Sequence, residues 1–565
     1  MTATTRTRGA AAVATGVPAR IGRDPFGALG DLGSAALVAV AGLLALMTLA
    51  APLGWRPLRS QAASVGLLVL LAVVAVLALR VLRRGRGPSA PRTAQLVTAA
   101  PALLVVGWAV AARFLPVGVR TEWYLGGDHV RHLVLTAEEQ AAGVLGYDVE
   151  SYPRAWHTVV ALVWSAAGLR PEDSVTAVVD LGALLAWLLS AALALTTAAL
   201  AASLGSRTGL GLRASAGAGF VAGCVTAWPF FLATYQALGL EGSLVAASVL
   251  AVVLRARLTD PTGARGFVVA VAGGVVLAHT WQLLLPVAAL AALGPARGLL
   301  RAGRRGRLVL AVGLLVGAVA AWPALLAVVT RVGVQHASDA DVVSPVPWAF
   351  LALGAGAAGV LVLRRRHRRT ATVLALMAVP AVTGVLLALY VGVSPLAYYP
   401  SKLLWHTAVL GLAPLAVVVV GLALRVDRAS FRGASLLRVV GGGGLATVLV
   451  FALLGPFAAF TGGWSTTDGP TVLRAVSAPG AGDAQVVWTD GPVVTDTVAR
   501  ILLAAVRPTS GGIDRPQSSL TVEQECALLR AADAPAVLSD HPVAEVRARY
   551  ACVPDVRVVA VPRSS

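Results

Sequence analysis

The stretch Val65-Gly66-Leu67-Leu68-Val69-Leu70-Leu71-Ala72-Val73-Val74-Ala75-Val76-Leu77-Ala78-Leu79 contains no charged and no hydrogen-bonding side chain. With its flanks it belongs to an apolar segment of the length, about 20 residues, that crosses a hydrocarbon core roughly 30 Å thick. Similar charge-free runs occur at Ala36–Leu49 and Leu308–Ala320. Over the whole chain 57% of residues are hydrophobic and 13% charged, against about 25% charged in a soluble domain. Most of this chain therefore faces something other than water.

Outward from that stretch, thirteen apolar segments are expected, at 31–52, 60–82, 93–115, 174–204, 212–234, 243–256, 266–281, 283–298, 307–330, 346–363, 371–391, 403–424 and 435–460. A helix at Ala155–Leu169 is too short for a full span and is expected to be interfacial or re-entrant. The net charge of +19 does not indicate nucleic acid, because the arginines fall in short clusters between apolar segments. These are Arg83–Arg92, Gly205–Arg213, Arg255–Arg265, Arg297–Arg307, Arg364–Arg369 and Arg425–Arg438. With the N-terminus inside, all six become cytoplasmic, as the positive-inside rule requires. Met1 to Asp31 is polar and Arg-bearing with no cleavage motif after the first apolar run, so no cleavable signal peptide is expected. The expected fold is an α-helical polytopic membrane protein: a cytoplasmic segment 1–30, a membrane domain 31–461 with a long outer loop 116–154, and an extracytoplasmic domain 462–565.

That C-terminal region alternates strand-like runs (Gln485–Thr489, Ala536–Ser539, Val556–Val561) with helix-like runs (Val494–Val506, Thr521–Ala532, Val543–Tyr550). The alternation reads as a small α/β domain. It holds Cys526 and Cys552, and outside the cytosol such a pair is expected to form a disulfide. The third cysteine, Cys224, lies in an apolar segment.

Histidines are distributed unevenly. Only His367 maps to the cytoplasmic side, within a run of arginines; His129, His132, His157, His279, His336, His406 and His541 map to the outer face or outer helix ends. An aromatic belt accounts for the tryptophans there but not for histidines and carboxylates, which mark a functional outer site. The first outer loop carries Glu122-Trp123-Tyr124-Leu125-Gly126-Gly127-Asp128-His129-Val130-Arg131-His132 and then Glu138, Glu139 and Asp148. It continues to Tyr152-Pro153-Arg154-Ala155-Trp156-His157. A glycine-flanked carboxylate such as Asp128 can act as a general base toward a hydroxyl, hold a divalent cation against a phosphate, or simply cap the helix that follows.

Lys402 is the one lysine among 46 lysine and arginine residues, which points to a GC-rich genome in which arginine replaces lysine wherever it serves. Its setting is Tyr398-Tyr399-Pro400-Ser401-Lys402-Leu403-Leu404-Trp405-His406. A retained ammonium suits phosphate as a point charge on a flexible stem, and the plain alternative is a lysine snorkelling to the headgroups. His279-Thr280-Trp281-Gln282 interrupts an apolar hairpin at its outer turn and is a further candidate; on the same side Trp228-Pro229 and Tyr235-Gln236 end another helix, with Glu241 close behind. The loop Arg331 to Asp341, with His336, Asp339 and Asp341, reads as ordinary solvated loop. Gly441–Gly444 reads as close helix packing. Phosphate-binding and dinucleotide glycine motifs, zinc-type spacing and serine-hydrolase or kinase signatures are absent from the sequence.

These features resemble the GT-C superfamily of membrane glycosyltransferases. Gly127-Asp128-His129 is similar to that family's acidic outer loop, and Tyr152-Pro153-Arg154-Ala155-Trp156-His157 to the entry of its next helix. Tyr398-Tyr399-Pro400-Ser401-Lys402 resembles a late outer segment of the branch that includes actinobacterial cell-wall arabinofuranosyltransferases. The resemblance implies a polyprenyl-phosphate sugar donor, its lipid among the helices and surrounding membrane lipids, its phosphate near Lys402 and Arg131. Asp128 would deprotonate the hydroxyl of an envelope glycan or lipid acceptor, with a divalent cation as the one cofactor to be considered. His129, His132, Tyr152, His157, His279, Trp281, Gln282, Tyr398, Tyr399 and His406 would line the substrate site. The rival classes are a transporter or lipid flippase, expected to hold ionisable residues near the bilayer midplane, and a non-catalytic wall-assembly protein.

Overall fold

The computed structural model describes residues 24–84, 90–126, 128–145, 154–227, 240–331, 347–364, 368–428, 468–506 and 520–562. The membrane part begins with α1 (Gly27–Ala50), α2 (Gln61–Arg83), α3 (Arg92–Ala112), the short α4 (Val117–Thr121), α5 (His129–Ala142) and α6 (Ala155–Ala166). It continues with α7 (Val175–Arg207), α8 (Leu212–Thr226), α9 (Glu241–Thr259), α10 (Ala264–Ala278), α11 (Leu285–Arg301) and α12 (Gly303–Arg331). The last four are α13 (Trp348–Arg364), α14 (Arg368–Met377), α15 (Val379–Val391) and α16 (Tyr398–Arg428). Among the described residues, nine helical stretches are long and apolar enough to cross a membrane, so the chain reads as a multi-pass membrane protein. Aliphatic residues such as Val69, Val73 and Leu77 of α2 and Leu308 and Leu315 of α12 are exposed, as a lipid-facing surface requires.

Each expected apolar segment from 31–52 to 403–424 coincides with one of these helices or a pair of them; the segment 435–460, with Gly441–Gly444, lies outside the described residues. The segment 371–391 is divided into α14 and α15, with Pro380 in the first turn of α15, where a missing backbone N–H costs least. The helix of 12 residues at Ala155–Ala166 would be roughly 18 Å long at 1.5 Å per residue, too short to span. It is buried, with Trp164 and Ala161 wholly out of solvent. Small residues bring helices close: a Cβ on Gly219 would come 2.8 Å from the Ala198 carbonyl of α7, and one on Gly223 would come 2.8 Å from Pro101 of α3. This is the small-xxx-small packing that apolar surroundings favour.

The C-terminal region comprises α17 (Gly469–Val476), β1 (Val486–Trp488), α18 (Val493–Val506), α19 (Val522–Ala531), β2 (Ala536–Ser539), α20 (Val543–Arg549) and β3 (Arg557–Ala560). The three strands form a parallel sheet in the order β1-β2-β3, with Val487 opposite Leu538 and Leu538 opposite Val559. The central β2, Ala536-Val537-Leu538-Ser539, is buried throughout, as expected of a parallel strand covered on both faces. A disulfide joins Cys526 of α19 to Cys552, just beyond α20, with Cα atoms 6.1 Å apart. The region packs on the membrane part: Val472, Leu473, Val498 and Leu502 share an apolar core with Leu133, Ala137 and Val178. Thr176 and Ser477 hydroxyls also meet at 3.0 Å.

Candidate functional site

Charge separates along the bundle. At one end Arg255 of α9 binds Asp24 and the Ser203 hydroxyl at the end of α7, with Arg369 within electrostatic reach of both Arg207 and Arg257. At the other end stand α5, α6, the first turns of α9 and α16 and the turn after α10. Asp180, in the second turn of α7, is closed off by Arg113 at 2.7 Å and by a two-pronged contact from Arg120 at 2.7 and 3.0 Å. That ion triad holds α3, α4 and α7 together.

Glu241 opens α9, where a carboxylate is favoured by the helix dipole and the free N–H groups of the first turn. Its two oxygens face two imidazoles of α5: Oε1 lies 2.5 Å from His129 Nδ1 and Oε2 3.2 Å from His132 Nε2. His132 Nδ1 lies 2.7 Å from Nε2 of His157 on α6. None of the four residues is more than 3% exposed. Trp123 and Tyr124 pack their rings 5.3 and 4.5 Å from that of His129. Two turns beyond His132 along α5, Glu139 accepts from Thr158 Oγ1 at 2.8 Å and faces Arg154 at 3.8 Å. Burial pushes its carboxyl up to about 8 despite Arg154.

A second cluster adjoins the first through α9: a Cβ on Gly242 would lie 3.8 Å from Trp281 Nε1, and the Ser243 backbone faces the His406 ring. Lys402 lies in the first turns of α16 and is 5% exposed. Its Nζ sits 3.6 Å from the centre of the Tyr398 ring and 5.7 Å from that of Trp281, within the range of cation–π attraction. Trp281 packs at 5.8 Å on Tyr399 and 5.6 Å on His406, and His406 Nδ1 meets the Lys402 carbonyl at 2.6 Å. The Asp128 carboxylate acts electrostatically on the Lys402 ammonium. Asp128 occupies the position before α5, but its side chain makes no capping hydrogen bond there, so capping does not account for it.

Among the residues singled out from sequence, Lys402, Trp281, Tyr398, Tyr399 and His406 thus pack together with Asp128 in electrostatic reach, and His129, His132 and His157 form the adjoining chain. His279 turns elsewhere: its Nε2 meets the Ala320 carbonyl of α12 at 2.7 Å and its own carbonyl receives the Ala155 N–H of α6 at 2.9 Å. Gln282 opens the short turn before α11, and Arg131 is half-buried on α5. Tyr152 and Asp148, the Trp228-Pro229 and Tyr235-Gln236 pairs, and His336, Asp339 and Asp341 lie outside the described residues. Glu241, noted in the sequence only as following Tyr235-Gln236 at the outer face, is the residue whose role the sequence did not show. Its signal was a lone carboxylate opening an apolar span, but its partners stand more than a hundred residues away.

For a divalent cation, Asp128 belongs to no group of three metal-type ligands among the described residues. The group that exists is Asp490, Asp540 and His541, with ligand atoms within 4.8 Å of one another just past β1 and β2. No protein-family profile matches the chain, and no curated protein matches it either.

Proposed function

We propose that the chain is a membrane glycosyltransferase that moves a sugar from a polyprenyl-phosphate donor to a hydroxyl of an envelope glycan or lipid. The observation that carries this reading is the buried Lys402 ammonium between Tyr398 and Trp281, with Asp128, a carboxylate without a capping role, within electrostatic reach. Lysine and the N-terminus of α16 together favour an anion such as a phosphate leaving group, aromatic faces favour a sugar ring, and Asp128 supplies the base for the attacking hydroxyl. Lipid-exposed aliphatic helices beside the site suit a polyprenyl chain. In this reading the arginine end is cytoplasmic, the site and C-terminal domain are extracytoplasmic, and 435–460 supplies a thirteenth apolar segment.

A second reading, a proton-linked transporter or flippase, is favoured by the buried Glu241–His129–His132–His157 chain, since such chains serve as proton relays in membranes. Its weakness is position: Glu241 opens its helix, whereas transporter sites centre on the bilayer midplane. The discriminating experiment presents membranes overexpressing the chain with a radiolabelled polyprenyl-phosphate sugar. The transferase reading predicts label in a polymer or lipid acceptor. Label that changes leaflet while staying on its polyprenyl carrier establishes the transporter instead.

A further inference from the structure

We propose that Glu241 is a positioning residue that holds His129 in its Nδ1–H tautomer, so that His129 Nε2 receives the proton released at Asp128. The inference deepens the transferase reading and rests on it. An ionised carboxylate only accepts hydrogen bonds, and the two oxygens of Glu241 face His129 Nδ1 at 2.5 Å and His132 Nε2 at 3.2 Å. His129 Nδ1, which makes the hydrogen bond of the two contacts, must then carry the hydrogen. His129 is left with a lone pair on Nε2, which is buried and has no hydrogen-bond partner among the described residues. A buried acceptor left unpaired is costly, so the atom is built for a donor that arrives during the reaction.

The second arm constrains the same carboxylate. His132 Nε2 faces Glu241 Oε2 as an electrostatic contact rather than a hydrogen bond, while its Nδ1 meets His157 Nε2 at 2.7 Å, and that contact needs one hydrogen between its two nitrogens. Tyr124 and Trp123 hold the His129 ring from the sides. Of the charged and titratable groups nearby, Tyr124 packs on His129 and interacts electrostatically with Glu241, Asp128 directly precedes His129 in the chain, and the Glu139–Arg154 pair lies further along α5. A carboxylate that fixes one imidazole nitrogen so that the other takes a proton from a hydroxyl is the logic of hydrolase triads. Here the acceptor O–H bond breaks and its proton passes to Asp128. The oxygen bonds the anomeric carbon as the bond to phosphate breaks, and the electron pair leaves on the phosphate. The proton then moves to His129 Nε2. Asp128 is ionised again, and Glu241 balances the imidazolium.

The test is ¹⁵N NMR of histidine-labelled full-length protein in lipid nanodiscs, with His129 assigned from its loss in His129→Gln. Wild type should show the Nδ1–H tautomer, the minor form of free histidine. Glu241→Gln should lose that preference, slow transfer roughly 100-fold as for a positioned acid–base group, and alter its pH profile. Glu241→Asp, which keeps the acceptor on a shorter stem, should retain the tautomer and part of the rate, and it serves if the glutamine variant does not fold. An Nε2–H tautomer in wild type, or a tautomer and pH profile unmoved in Glu241→Gln, overturns the proposal. The Nδ1–H tautomer in a wild-type protein that transfers no sugar leaves the geometry standing and removes the transferase reading instead.

Discussion

An ammonium shielded from water needs partners, and Lys402 has the Tyr398 and Trp281 faces with Asp128 as its electrostatic neighbour. A snorkelling lysine would extend to the headgroups, and arginine would do the same equally well. At a phosphate site arginine is longer, planar and forked, so the substitution should be felt. Lys402→Arg is expected to raise the apparent donor KM, and Lys402→Ala to weaken donor use by about 1.5–3 kcal/mol, the worth of a hydrogen bond to a charged group. Expression should be unaffected; an unchanged donor KM in Lys402→Arg contradicts the phosphate role. Composition alone made Lys402 conspicuous, and glycine flanks did the same for Asp128. Glu241 was not legible in this way, because a carboxylate opening an apolar helix gains meaning only once folding brings α5 and α6 against it.

At the scale of elements, α17 lies so close to the membrane part that a Cβ on Gly469 would come 2.9 Å from Glu122 Cα and 3.0 Å from the Gly118 carbonyl. Backbone cannot yield there as a side chain can, and overpacking typically costs about 1–3 kcal/mol. Gly469→Val should therefore lower the unfolding midpoint of the C-terminal region and expose it to protease; unaltered protease resistance would show that the approach is looser. Inside that region burial pushes the Asp496 carboxyl up to about 6, against the opposing hydrogen bonds from Thr489. Its ordinary value is about 3.9. For a carboxyl raised on folding, ionisation favours the unfolded chain, so its contribution is greatest below about pH 4 and fades as pH rises through about 6. Acidifying from pH 7 to 5 should stabilise the wild-type region relative to Asp496→Asn, read as the difference in thermal midpoint. Equal shifts in both proteins would refute this. The strands and helices here were readable because their periodicities switch cleanly and Cys526 and Cys552 stand alone among polar residues. The break between α14 and α15 follows from Pro380, whose effect an apolar count over 371–391 does not register.

Taken whole, the molecule gathers Arg207, Arg255, Arg257 and Arg369 with Asp24 at one end, and the histidine chain, Asp128, Lys402 and the Asp180 ion triad at the other. Arginine clusters on alternate loops made this polarity visible in the sequence, since charge cannot be hidden among apolar segments. Convergence of α5, α6, α9 and α16 at one end was not visible, because helix packing depends on small residues such as Gly219 and Gly223 meeting particular neighbours. Reporter fusions at Gly463 and Arg366 should fall on opposite sides of the membrane, with Gly463 outside. A cytoplasmic Gly463 fusion would place the site on the wrong face for an extracytoplasmic transferase.

In the proposed reaction, sugar transfer runs through the carboxylate of Asp128. Asp128→Asn preserves size and removes only the base, and a positioned general base contributes roughly 10²–10⁴-fold. The most direct measurement compares purified wild-type and Asp128→Asn proteins in proteoliposomes, counting polyprenyl phosphate released from a labelled donor in the presence of envelope acceptor. The expected result is release by wild type and a fall of at least about 100-fold in the variant, with unfolding midpoints alike. Equal release from both proteins would contradict it.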